Sequence, residues 1–119
     1  MSECCGGKTK IVYPCSGAAD VGELADKVAR KISKETDVKM GCLAGVGGNI
    51  SGFVLSSKEA DFIFAIDGCP MECAKKTLLS HSIEKFKHLR ITDLGFAKGK
   101  TPVSEENINK AFDKAKELI

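Results

Sequence analysis

One short segment narrows the possible folds more than any other: Asp61-Phe-Ile-Phe-Ala-Ile66. Every residue from Phe62 to Ile66 is apolar, so an extended segment here has no wet face. A strand of that kind is central in a sheet and covered by helices on both sides. Shorter apolar runs and helical stripes alternate around it. Lys10-Ile-Val-Tyr-Pro14 reads as a first strand ending at Cys15, and Val38 to Cys42 as a second. Between them Val21, Leu24, Ala25, Val28, Ala29 and Ile32 repeat at helical spacing. Asp20 is placed to cap that helix, with Glu23 three residues on. Phe53 to Glu59 reads as a short helix. A further helix is expected from Pro70, a favoured first helical residue, to Leu79 or Ser82. His88 to Thr92 reads as a fourth strand ending in Asp93, and Gly95 to Thr101 as a loop. Ser104 caps a last helix striped by Ile108, Ala111, Phe112, Ala115 and Leu118. The expected fold is a single-domain α/β three-layer sandwich of Rossmann- or flavodoxin-like type. Its four-stranded, mainly parallel sheet carries helices on both faces. Residues 10–119 form this domain, and residues 1–9 are expected to be a flexible tail.

Composition removes several classes of function. Lys plus Arg number 18 and Asp plus Glu 16, a net charge of +2 that leaves no basic footprint for nucleic acid. The run from Phe62 to Ile66 is far below the ~18 residues of a membrane span. Met-Ser-Glu-Cys-Cys-Gly-Gly-Lys at the N-terminus lacks the apolar core of a signal peptide. Six cysteines among 119 residues fall below the ~8–10% of a secreted disulfide scaffold. A cytoplasmic protein with reduced thiols is expected, and the thiols then need another role.

Cys15, Cys42 and Cys69 each end or follow a predicted strand. Parallel strands finish at one edge of the sheet, where open α/β folds bind their ligands. Cys73 comes four residues after Cys69, so on a continuous helix the two would share a face. Three strand ends and one helical turn could therefore supply the four sulfur donors, at about 2.3 Å, that tetrahedral zinc takes. The N–H groups of a helix starting at Pro70 would favour thiolates beside them. The set lacks the paired C-x₂-C knuckles of a zinc ribbon, so its convergence depends on the strand assignments. A buried cysteine is often only a small hydrophobe, but four at one edge, two beside glycine in turns, argue against that reading.

Other motifs carry less. Cys4 and Cys5 are read as spare exposed thiols rather than an extra ligand or a relay. Asp67 and Asp93 are read as turn formers. His81 and His88 are expected at the opposite edge of the sheet and not as ligands. The run Gly41-Cys-Leu-Ala-Gly-Val-Gly-Gly-Asn-Ile-Ser-Gly52 departs from the dinucleotide fingerprint at its last glycine and has no P-loop lysine. Its glycines are read as letting the backbone pass close to the thiols. Lys75, Lys76 and the lysines of the last helix form a solvated face.

The sequence resembles the DGC-domain family from about Ile11 to the C-terminus. The resemblance rests on Cys15-Ser16-Gly17, Gly41-Cys42-Leu43-Ala44-Gly45, Asp67-Gly68-Cys69-Pro70 with Cys73, and Thr92-Asp93-Leu94-Gly95. That family is described as zinc-binding on account of four potential chelating cysteines, matched here by Cys15, Cys42, Cys69 and Cys73. The resemblance implies metal binding and no established reaction. The expected function is a cysteine-held Zn site, structural or zinc-handling, with the metal ion as partner and no nucleic acid or membrane. The alternatives are a thiol-redox or thiol-transfer enzyme using Cys69 at a helix N-terminus, and an iron–sulfur protein using the same cysteines.

Overall fold

The computed structural model describes residues 8–119. Residues 1–7, with Cys4, Cys5 and most of the expected tail, lie outside the described residues. The elements are β1 (Lys10–Pro14), α1 (Asp20–Glu35), β2 (Lys39–Met40), α2 (Leu43–Gly47), α3 (Ser51–Glu59) and β3 (Phe62–Asp67). They are followed by α4 (Cys73–Ser80), β4 (Lys87–Arg90), a 3-10 turn (Ile91–Leu94) and α5 (Glu105–Lys116). The four strands form one parallel sheet in the order β2-β1-β3-β4. The expected α/β architecture is present.

Side-chain alternation along the central strands divides the core in two. Val12, Phe64 and Ile66 point to one face, where Val21, Leu24, Val28 and Ile32 of α1 and Ala111, Phe112 and Ala115 of α5 cover them. Tyr13, Ile63 and Ala65 point to the other, beneath Val46 of α2 and Ala74 and Leu78 of α4. The apolar run Phe62–Ile66 is thus sandwiched, as its composition requires. Each fully buried Leu, Ile or Val in these layers contributes roughly 1.5–3 kcal/mol through removal from water.

Several boundaries differ from the sequence reading. β2 is only Lys39–Met40, because Cys42 already caps α2, a helix of only five residues. The glycines within α2 disfavour helix in isolation, but Gly45 lies against the Phe53 ring, where an added Cβ would come within 2.6 Å. Gly41 is likewise pressed on Tyr13 and Ile11. These two glycines make room for the side chains of Phe53, Tyr13 and Ile11, not for thiols as expected. β4 spans Lys87–Arg90, and Ile91–Leu94 turns away as a 3-10 segment.

Ser104 caps α5 as expected, its side chain accepting the Asn107 N–H at 3.2 Å. Asp20 does something different. Ala19 is the cap residue of α1, and the Asp20 carboxylate reaches across the chain to accept N–H groups of Gly99 and Thr101, each at 2.9 Å. Those two bonds, Gly99 first, hold its pKa below the usual carboxylate range. A depressed carboxylate stabilises the fold above its unfolded value, about 3.9, and that stabilisation is lost as pH falls through the lower folded value. We therefore expect the amides of Gly99 and Thr101 to exchange faster with solvent in Asp20→Ala, and in the wild type once this carboxylate is protonated. Amide-resolved hydrogen exchange checks both.

Candidate functional site

The chain leaves β1 for β2 on one side, whereas β3 lies on the other side of β1. The connections that follow β1 and β3 therefore part from each other, and a crevice opens between them at the carboxyl edge of the sheet. Both begin with the residues of interest. Cys15 prolongs the ladder by one bond, its N–H donating to the Ile66 carbonyl at 2.9 Å. Gly68 and Cys69 follow β3, Cys42 follows β2, and Cys73 opens α4. All four cysteines are free thiols. Cys15 and Cys69 are half-buried, and Cys42 and Cys73 are exposed.

Three backbones meet beneath this edge. A Cβ on Gly22, in the first turn of α1, would come within 2.8 Å of the Gly17 backbone. One on Gly68 would come within 2.7 Å of the Val21–Gly22 backbone. The loops after β1 and β3 thus rest directly on the start of α1, at a distance only glycine permits. Gly68 N–H points at Cys15 Sγ, 3.4 Å away. Burial pushes the Cys15 thiol up, against backbone hydrogen bonds from Gly17 and Gly68, and negative charge on Asp67 and Cys73 acts in the same direction as burial.

The expected helix from Pro70 does not form there. Cys69 to Glu72 is a turn closed by Glu72 N–H to the Cys69 carbonyl at 3.1 Å, and Glu72 is left-handed (φ 57°, ψ 46°). α4 starts only at Cys73. Cys69 and Cys73 therefore do not share one helical face, and Cys69 is not at a helix N-terminus. Nor are the Ala74 and Lys75 N–H groups in the first turn of α4 open to a thiolate. Asp67, 1% exposed, accepts Ala74 N–H at 2.6 Å and Lys75 N–H at 3.1 Å. It caps the helix from the end of β3.

The same carboxylate accepts His88 Nε2–H at 2.8 Å. His88 was expected at the opposite edge, but β4 starts one residue earlier, and register places it beside Ala65, close to the end of β3. Glu72 lies 3.8 Å from His88 Nδ1 and 3.7 Å from Arg90. Arg90 in turn grips Asp93 through two bonds of 3.1 Å. Asp67 and Asp93 are thus parts of one polar network. Cys69 has a partner of its own, Lys98, whose Nζ is 3.7 Å from Sγ.

The four thiols border two adjoining clefts. One, of about 500 Å³, is lined by Cys15, Cys42 and Cys73 with Ser16, Asp26 and Arg30. The other, of about 220 Å³, is lined by Cys15, Cys69 and Cys73 with Met71, Glu72 and Lys98. Cys15 and Cys73 belong to both. Among the described residues, no three His, Cys, Asp or Glu side chains are grouped closely enough to hold a metal ion. The donor chemistry suits zinc, but the arrangement does not fit a preformed four-thiolate cage. A larger hollow, about 820 Å³, lies at the amino edge among Lys10, Asp37, Phe62 and Lys116, and no cysteine among the described residues lines it. No helix among the described residues is long and apolar enough to cross a membrane.

The fold and its edge define a doubly wound α/β domain with a cysteine-lined crevice. Comparison with protein families is specific: the DGC domain model matches residues 11–115, and the chain belongs to that family. It is 35% identical over 88 residues to the anaerobic and virulence modulator AnvM of Pseudomonas aeruginosa, covering 74% of this chain and 67% of the relative. No solved structure matches it.

Lys98 and the capping role of Asp67 escaped the sequence reading. Lys98 meets Cys69 from 29 residues away, and Asp67 caps α4 from outside the usual cap position, so neither leaves a standard local signature. We expect Asp67→Ala to destabilise the domain by about 2–4 kcal/mol, since it strips a buried acceptor from three donors. Urea unfolding measures this. Gly68→Ala should cost about 1–3 kcal/mol by forcing the β3 loop off α1, and alkylation of Cys15 should become faster.

Proposed function

We propose that this protein is a cytoplasmic zinc-handling protein in which Cys15, Cys42, Cys69 and Cys73 receive the ion. One observation carries the reading: four free thiols border two adjoining clefts at the ligand-binding edge of the sheet, and Cys15 and Cys73 are common to both. Zinc is a suitable partner for a thiolate-rich donor set. Because the thiols are not already grouped in a cage, capture requires them to draw together. A site that must close favours transient holding over permanent structure. The buried hydrophobic layers on both faces of the sheet point the same way, since a domain of this size can bury enough core to fold without a metal staple.

The test uses untagged full-length protein titrated with zinc against a chromophoric chelator. About one equivalent should bind, and Cys→Ser at each of the four positions should weaken it, while circular dichroism of the metal-free protein stays native. Binding below about a tenth of an equivalent, or undiminished by the four substitutions, overturns the reading. A brown, visible-absorbing protein from anaerobic preparation would replace zinc with an iron–sulfur cluster.

A further inference from the structure

Lys98 is an exposed cation with its Nζ 3.7 Å from Cys69 Sγ. Among the described residues no carboxylate lies within salt-bridge distance of it. Its position is built in. The next residue, Gly99, and then Thr101 are held by the Asp20 carboxylate at 2.9 Å. Thr101 Oγ1 closes the same turn, donating to the Ala97 carbonyl at 2.7 Å and accepting Ala97 N–H at 3.1 Å. The backbone that carries Lys98 is thus held by Asp20 from elsewhere in the chain and by the local Thr101 turn, and its ammonium group lies over one particular thiol. Beside the pair lies the 220 Å³ cleft, whose wall is mostly apolar (Val21, Met71) and includes the Cys15 and Cys73 thiols; of its two carboxylates, Asp67 is engaged by Ala74, Lys75 and His88, and Glu72 by His88 and Arg90.

We propose that Cys69 and Lys98 form a reaction site for small anionic disulfides, Lys98 receiving the anionic group and Cys69 forming the new bond. The Cys69 thiolate attacks the nearer sulfur of R–S–S–R. The S–S bond of the disulfide breaks as the Cys69–S–S–R bond forms, and the departing R–S⁻ takes a proton from water. The disulfide is itself the oxidant: Cys69 is oxidised to a mixed disulfide while one R–S half is reduced. A cation at this spot attracts the anionic end of the incoming molecule. The geometry involves no metal, and the test is run on protein stripped of metal by a chelator, so this site and the zinc reading can fail separately.

The full-length protein is treated with substoichiometric dithiobis(nitrobenzoate), a dianionic disulfide, or with neutral dithiodipyridine, and peptide mass mapping follows each cysteine. Cys69 should show the largest preference for the anionic reagent. Lys98→Met should slow that reagent at Cys69 by about three- to ten-fold and leave the neutral one nearly unchanged, while Lys98→Arg retains the wild-type ratio. In about 1 M salt, where screening reaches ~3 Å, the wild-type preference should shrink. Because Lys98 is exposed, these variants should fold, which circular dichroism verifies. Equal slowing of both reagents, no change in either, or labelling chiefly at another cysteine would overturn the proposal.

Discussion

A single buried carboxylate holds the working edge of this domain together. Asp67 ends the central strand, caps α4 through Ala74 and Lys75, and binds His88 on the neighbouring strand. A buried charge is costly to desolvate, and three hydrogen bonds from two N–H groups and an imidazole offset that cost. Through them β3, α4 and β4 are tied at one point. The cap also fixes where α4 begins, and so where Cys73 stands. Because the first amides of the helix already serve Asp67, the helix terminus does not act on the thiols in the way an open N-terminus would.

Glycine provides the second constraint. Gly68, next to Asp67, and Gly22 in α1 allow the β1 loop, the β3 loop and α1 to touch backbone to backbone. Cys15 and Cys69 are drawn to the same crevice by this contact, and Gly68 N–H reaches Cys15 Sγ. The Asp-Gly-Cys triplet therefore has three separate tasks: Asp67 anchors, Gly68 allows close approach, and Cys69 presents a thiol.

The chemistry at the edge is graded rather than uniform. Cys15 is half-buried and held by backbone donors, Cys42 and Cys73 are exposed, and Cys69 faces a lysine. Four equivalent ligands in a closed cage would not look like this. Two adjoining clefts that share a pair of thiols suit a site that gathers its donors when a ligand arrives.

The periodic patterns of the chain were enough to determine the layered α/β fold and the edge at which Cys15, Cys42 and Cys69 emerge. Strand burial and helical stripes are short-range properties, and parallel strands must all end on one side. The stripe of α1, the Ser104 cap and the apolar β3 were legible for that reason. The start of α4, the existence of α2 and the place of His88 were not. Pro70 has the local credentials of a first helical residue, but the left-handed Glu72 and the cap from Asp67 at the end of β3 shift the helix to Cys73. α2 contradicts its own glycine content and depends on packing against Phe53. Tertiary structure alone set Lys98 over Cys69 and divided the thiols between two clefts, because those contacts join segments whose separation in sequence leaves no local pattern.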